Sequence, residues 1–77
     1  MVKLPVLSGY KIVKALEKEG FKIVGRKGSH IRLKKKSNDE TFIVIVPDHP
    51  EITPGTLLSI IRQYGMKKDE FLKLFEK

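Results

Sequence analysis

Within residues 29–36 of this 77-residue chain, Ile31 and Leu33 alternate with His30, Arg32 and Lys34. Ile31 and Leu33 are apolar, and each has a polar or charged neighbour on both sides. Successive side chains of a β-strand point to opposite faces, so this pattern is typical of a strand with one buried and one exposed face. Such a strand requires a sheet that is covered on one side only, and the rest of the chain has to supply that cover.

Two further strands are predicted on either side of this segment. Residues 21–24 and 41–46 are rich in β-branched and aromatic side chains, as strands are. We expect a loop at residues 25–28 and a polar turn at 37–40, and we expect 41–46 to be the most buried strand. Connections this short join antiparallel neighbours, so the three strands are predicted to form an antiparallel meander.

Three helices are predicted around the sheet. The first lies between Ser8, a good N-cap, and Gly20, a typical stop, and its apolar residues recur at helical spacing. The second begins after Thr53, where proline follows the cap, and ends at Gly65. A short third helix is predicted over residues 68–75.

The predicted order of elements is therefore helix, three strands, helix and short helix. Helices on one face of a three-stranded antiparallel sheet form an α+β fold, with the other sheet face free for a ligand. A chain of this length buries one core, so we expect residues 1–77 to form a single domain. The aromatic residues, including Tyr10 and Tyr64, are assigned to this core, which leaves no predicted platform for stacking single-stranded bases.

The positive charge of the chain is concentrated around the alternating segment. Residues 21–38 contain seven basic and no acidic side chains, and the basic side chains elsewhere equal the nine acidic ones in number. The formal net charge of +7 is therefore local. A local basic patch attracts polyanions such as RNA. Strand alternation predicts that the face opposite Ile31 and Leu33 carries His30, Arg32, Lys34 and Lys36.

His30 is the candidate catalytic residue, because imidazole exchanges a proton near neutral pH and stands here among cations. Gly28 and Ser29 precede it, and they allow a phosphate to approach the backbone and offer it an N–H and a hydroxyl group. The other candidate RNA-binding side chains are the nearest cations, namely Arg26, Lys27, Arg32 and Lys34. Two plainer interpretations stay open: His30 as an exposed polar residue of a strand, and the lysines as protection of a sheet edge.

His49, the second histidine, lies between Asp48 and Pro50 after the third predicted strand. It is a candidate for an auxiliary proton-transfer group or for a structural loop residue. A metal site of Asp48, His49 and Glu51 is not expected, because three adjacent loop residues rarely converge on one ion. The chain has no cysteine and no glycine-rich phosphate loop with its lysine. We therefore expect neither a metal nor a small-molecule cofactor.

The longest apolar run, at residues 41–47, is far too short to span a bilayer, and no secretory signal pattern opens the chain. The absence of cysteine suits a reducing compartment, so we expect a cytoplasmic protein. Binding to a membrane surface is not expected. That function needs lysines on one face of an amphipathic helix, and here most of them fall in a strand.

Seven short motifs follow one another over nearly the whole chain. They are Leu7-Ser8-Gly9, Gly20-Phe21, Gly28-Ser29-His30, Val46-Pro47-Asp48-His49, Pro54-Gly55-Thr56-Leu57, Ile60-Ile61-Arg62-Gln63-Tyr64-Gly65 and Asp69-Glu70-Phe71. In this order they resemble the HicA toxins of bacterial and archaeal toxin-antitoxin pairs, also called the YcfA-like family. The resemblance implies a fold like the double-stranded-RNA-binding domain, cleavage of mRNA, and a HicB-like antitoxin as partner. It also assigns the family's catalytic histidine to His30 and its loop histidine to His49.

The residues and the resemblance together predict a metal-independent endoribonuclease. His30 would act as general base or general acid, and Arg32, Lys34 and Arg26 or Lys27 would stabilise charge on the phosphate. The alternative is a non-catalytic RNA-binding domain of the double-stranded-RNA-binding type, which would leave RNA intact. A docking surface for an acidic protein is compatible with the first function, since an antitoxin could cover His30.

Overall fold

A computed structural model describes residues 6–75 and contains the predicted order of elements. The three strands form one antiparallel sheet in the order β1-β2-β3, and the α+β layout with one open sheet face is confirmed. The elements are α1 (Gly9–Lys18), β1 (Lys22–Lys27), β2 (His30–Ser37), β3 (Glu40–Pro47), α2 (Pro54–Tyr64) and α3 (Lys68–Lys73).

The helix ends follow the predicted capping residues. Ser8 caps α1 by accepting a hydrogen bond from the Lys11 N–H at 3.1 Å, and Thr53 caps α2 in the same way. Gly65 ends α2 in the left-handed conformation, with a φ of 80°. The third helix ends at Lys73, before the predicted boundary, because the following N–H groups bond three residues back and tighten the chain into a turn.

The core lies between the inner face of the sheet and the helices. The strands contribute alternate residues to it, as a period of two requires, and α1 and α2 contribute residues at helical spacing. Its most deeply buried side chains are Ile12, Leu16, Leu33, Val44, Val46, Leu57, Ile60 and Phe71.

Two expectations about burial are wrong. The third strand is not the most buried one, because it buries two residues, as β2 does, while its Ile43 and Ile45 lie on the uncovered face and are 50% and 40% exposed. Tyr10 is not a core residue and is 66% exposed. It lies one turn before Lys14 on the outer side of α1, where the Lys14 ammonium group is 5.5 Å from the centre of its ring.

The first strand differs from the prediction in length and regularity. It continues through the predicted loop to Lys27, and a β-bulge interrupts its pairing with β2 between Ile23 and Gly25. Adjacent residues of a regular strand point to opposite faces, whereas a bulge inserts one extra, unpaired residue that interrupts this alternation. Val24 is that residue.

The edge strand β3 is partly closed by α2. The side-chain oxygen of Gln63 accepts a hydrogen bond from the Ile45 N–H at 3.0 Å, and its amide group donates to the Ser59 hydroxyl at 3.3 Å. Pro47, the last residue of the strand, has no N–H to offer. A side chain of the adjacent helix therefore occupies a donor that an edge strand would otherwise present to solvent.

Within residues 6–75, no helix has the length and apolar character needed to cross a membrane.

Candidate functional site

His30 is the first residue of β2 and directly follows a two-residue turn formed by Gly28 and Ser29. Gly28 has a φ of 59°, a left-handed conformation that glycine adopts without strain. The tight turn makes Lys27 and His30 cross-strand partners. Because such partners lie side by side on one face of a sheet, a lysine stem stands next to the imidazole.

The loop that follows β3 is tied to this turn. The Asp48 N–H donates to the Ser29 carbonyl oxygen at 2.6 Å, which continues the β2–β3 pairing beyond Pro47. The Arg26 guanidinium forms an ion pair with the Asp48 carboxylate and also donates from Nε to the Gly28 carbonyl oxygen at 3.3 Å. The backbone around His30 is thus held from both sides.

The same loop is fixed from below by the start of α1. The His49 carbonyl oxygen accepts a hydrogen bond from the Gly9 N–H at 2.9 Å. A Cβ atom on Gly9 would overlap the carbonyl oxygen of Pro47 and lie 3.2 Å from the Cα of Asp48. Glycine is therefore required at this position for the helix to approach the strand end, and the His49 backbone is anchored while its side chain stays exposed.

A concavity of about 720 Å³ lies on the open sheet face beside His30. Arg32 pairs with Gly25 on one side and with Ile45 on the other, so these three residues form a row across the sheet. Gly25 has no side chain, and nothing lies within 4 Å of where its Cβ would be. The gap at Gly25 is what makes the face concave. The lining residues are Gly25, Arg26, Lys27, His30, Arg32 and Ile45.

A second concavity, of about 360 Å³, lies further along the same face. Its lining residues are Gly20, Lys22, Val24, Lys34 and Lys36. The structure thus brings Arg26, Lys27 and Arg32 together with His30, whereas Lys34 belongs to this neighbouring depression.

Lys35, which lies between the outward-facing Lys34 and Lys36, has a different environment. Lys35 donates from Nζ to the Tyr64 hydroxyl at 2.9 Å, and this ammonium group is 5.9 Å from the centre of the Phe21 ring. The Tyr64 hydroxyl in turn donates to Glu19 at 3.4 Å. Lys35 is therefore part of the helix-side packing, and only alternate lysines of the run 34–36 face outward.

The remaining predicted site residues lie at the rim. Gly28 and Ser29 form the turn and do not line the concavity beside His30, and His49 lies in the loop after β3, also outside it. The sequence had pointed to none of Gly25, Ile45 and Asp48 as site residues. Gly25 and Ile45 lie at the site because strand register pairs both of them with Arg32. Asp48 lies there because the chain after β3 returns to the turn that precedes His30.

Acidic side chains are nearly absent from this face. Among residues 6–75 the only ion pairs are Arg26 with Asp48 and Lys14 with Glu17. Arg26 is therefore partly neutralised, while Lys27 and Arg32 beside His30 have no acidic partner in the described part of the chain. Over the same residues, no three histidine, aspartate or glutamate side chains are arranged to hold a metal ion.

The family model of the HicA toxin of bacterial toxin-antitoxin pairs matches residues 9–66. This range runs from the first residue of α1 to just beyond α2 and includes the whole sheet with both concavities. No curated protein and no solved structure matches the chain. The family match covers most of the 77 residues, so this chain belongs to the HicA toxin family.

Proposed function

We propose that this chain is the toxin of a type II toxin-antitoxin pair and cleaves mRNA in the cytoplasm as a metal-independent endoribonuclease. The observation that carries the proposal is the concavity on the open sheet face, where the imidazole of His30 shares a lining with Lys27 and Arg32. A proton-transfer group among unpaired cations suits a phosphodiester substrate. Membership of the HicA toxin family supports the same function.

RNA carries its own nucleophile, so the chemistry asked of the protein is limited. The 2′-oxygen of the substrate bonds to the adjacent phosphorus, the bond from phosphorus to the 5′-oxygen breaks, and a cyclic phosphate end results. The 2′-hydroxyl loses a proton in this step and the departing 5′-oxygen gains one. His30 is proposed to carry one of these transfers, as general base or as general acid.

Cations are needed because negative charge builds on the phosphate oxygens in the transition state. Arg32 lies two residues beyond His30 on the same face, and Lys27 is the cross-strand partner of His30. Both are proposed to stabilise that charge. The RNA-binding set also includes Arg26 and Lys34, and Gly28 and Ser29 are proposed to offer backbone N–H groups and a hydroxyl to phosphate oxygens.

His49 is proposed as an auxiliary group. Its backbone is anchored to α1, and its neighbour Asp48 is bonded to the turn that precedes His30. Its side chain is proposed to serve as a second proton-transfer group when bound RNA reaches the loop after β3.

A HicB-like antitoxin is the proposed protein partner. The open face combines unpaired cations with the half-exposed side chains Val24, Ile43 and Ile45. An acidic protein with some apolar residues would complement such a surface. Covering it would exclude RNA from His30.

The test compares wild type with His30→Ala on RNA in the presence of EDTA. We expect the substitution to slow cleavage by ~10²- to 10⁴-fold while RNA binding persists. Product ends are analysed in the same experiment, and a cyclic phosphate end is expected. The His49→Ala variant serves as the matched histidine control and should lose less activity. Intact RNA with wild-type protein would instead identify a non-catalytic RNA-binding domain.

A further inference from the structure

The second concavity, which is the one further from His30, is lined by lysines from two strands. Lys22 of β1 and Lys34 of β2 are cross-strand partners, so their side chains leave the sheet next to each other on the open face. Lys36 is two residues further along β2 and therefore lies on the same face. All three line one depression of about 360 Å³.

None of these three lysines is neutralised within the described part of the chain. The ion pairs of residues 6–75 involve Lys14 and Arg26 as the cations. The intervening Lys35 is taken up by Tyr64 on the helix side. The open face thus keeps three lysines without an acidic partner among residues 6–75.

The bulge in β1 forms the boundary between the two concavities. Val24 lines the lysine depression and Gly25 lines the depression beside His30, although the two residues are adjacent in sequence. In a regular strand they would point to opposite faces. Because of Val24, the extra residue of the bulge, the open face has two consecutive concavities. One contains the candidate catalytic His30, and the other contains lysines and no candidate catalytic group.

We propose that Lys22, Lys34 and Lys36 form a second phosphate-binding subsite, which holds the RNA backbone several nucleotides away from the bond that is cleaved. This proposal rests on cleavage at His30. Lys34 is four residues beyond His30 on β2, a separation of ~14 Å at the usual strand rise. This distance exceeds the separation of neighbouring phosphates on one strand, so the subsite would hold a phosphate beyond the one at which the chain is cleaved. A dinucleotide would reach the first depression only.

The proposed subsite should bind RNA of any sequence. Its charged groups are ammonium ions, which bind phosphate as point charges, and phosphate contacts carry no sequence information. The exposed side chain beside them is Val24, which has no hydrogen-bonding group to read a base. The subsite would therefore select for length rather than for sequence.

The test uses two double variants with the same change in net charge. Lys22→Gln and Lys36→Gln together weaken the subsite and leave Lys34, a member of the RNA-binding set, in place, while Lys68→Gln and Lys73→Gln remove two exposed lysines of α3. Each protein is assayed on a dinucleotide and on a single strand of about 12 nucleotides, a length that small single-strand-binding modules cover. Thermal unfolding confirms that both variants fold.

We expect the subsite variant to lose ~10- to 100-fold in kcat/KM on the longer RNA at low salt and to keep its activity on the dinucleotide. The control variant should match wild type on both substrates. Equal losses on both substrates, or full activity on the longer one, would overturn the proposal.

Binding measured in the His30→Ala background separates this proposal from the proposed cleavage. The decrease of log affinity with log salt concentration should become less steep by about 1.4 in the subsite variant, at ~0.7 for each of two lost phosphate contacts with a single strand. An unchanged slope contradicts the subsite even if the protein cleaves RNA. If wild type binds RNA with a steeper salt dependence than the subsite variant but does not cleave it, the proposed cleavage is contradicted and the subsite is not. If only binding of an antitoxin weakened, the lysines would form a protein-docking surface and the subsite would be refuted.

Discussion

Arg26 and Asp48 form an ion pair that joins the end of β1 to the first residue after β3. The guanidinium also bonds to the Gly28 carbonyl oxygen, and the Asp48 N–H bonds to Ser29. Both charged side chains are exposed, at 57% and 39%, so the pair contributes little to global stability. Its effect is local, because it fixes the two segments between which His30 lies.

Breaking this pair should therefore separate activity from stability. We expect Asp48→Ala to change the free energy of unfolding by at most about 1 kcal/mol. The same variant should lower kcat for RNA cleavage by ~10- to 100-fold, because small misplacements of a reacting group are costly. Denaturant unfolding and single-turnover cleavage measure the two effects. The charge-exchanged variant, with Arg26→Asp and Asp48→Arg, should recover part of the lost kcat, and equal activity of Asp48→Ala and wild type would contradict this role.

Arg32 is expected to stabilise charge in the transition state. Replacing it by alanine should slow cleavage by ~10²- to 10³-fold, a typical loss for one preorganised donor. Arg32→Lys should retain part of the rate, since it keeps the charge and loses the planar fork. Arg62→Ala removes an exposed arginine of α2 and is the matched control. Comparable rates for Arg32→Ala and Arg62→Ala would remove Arg32 from the mechanism.

Two glycine substitutions should change stability in opposite directions. Gly9→Ala introduces a Cβ that overlaps the Pro47 carbonyl oxygen, and we expect it to lower the free energy of unfolding by ~1–3 kcal/mol. Gly55→Ala adds a methyl group to the first turn of α2, where nothing lies within 4 Å. It should raise the same free energy by ~0.4–1 kcal/mol. Denaturant unfolding of both variants checks the signs, and similar values would show that α1 does not need this close approach.

The Tyr64 hydroxyl should matter for stability and not for cleavage. It accepts from Lys35 and donates to Glu19, and its ring makes an edge contact with Phe21 at 4.8 Å between ring centres. Tyr64→Phe keeps the ring and removes both hydrogen bonds, so we expect a loss of ~0.5–1.5 kcal/mol. Activity on RNA should stay within about twofold of wild type, which corresponds to a change of at most about 0.4 kcal/mol in activation free energy. A large loss of activity would place Lys35 in the RNA site after all.

Much of the fold was predictable because its signals are local. The alternation around Ile31 and Leu33 correctly gave the buried face of β2, and Ser8, Thr53 and Gly65 marked helix ends that the structure confirms. The expectation that β3 would be the most buried strand was wrong, because an uninterrupted apolar run does not show which of its residues face the helices. The run in fact alternates, and the residues that face away from the helices are exposed.

The site was predictable only in part. Strand alternation predicted that His30 and Arg32 share the open face, and both line one concavity. The contact of Arg26 with Asp48 could not be predicted, because the two residues are 22 positions apart and the contact depends on where the loop after β3 returns. The bulge at Val24 was equally hidden, since it arises from pairing across strands and not from a local signal.

The hydrogen bond from Ile45 to Gln63 also bears on how this protein behaves at high concentration. A strand from a second molecule could lengthen the sheet at β3 only by displacing the Gln63 side chain, and it would find no donor at Pro47. Exposed strand edges are the usual starting points of intermolecular β-aggregation. One glutamine of α2 thus blocks a donor at the β3 edge of the sheet, without placing any charge on the face that is proposed to bind RNA.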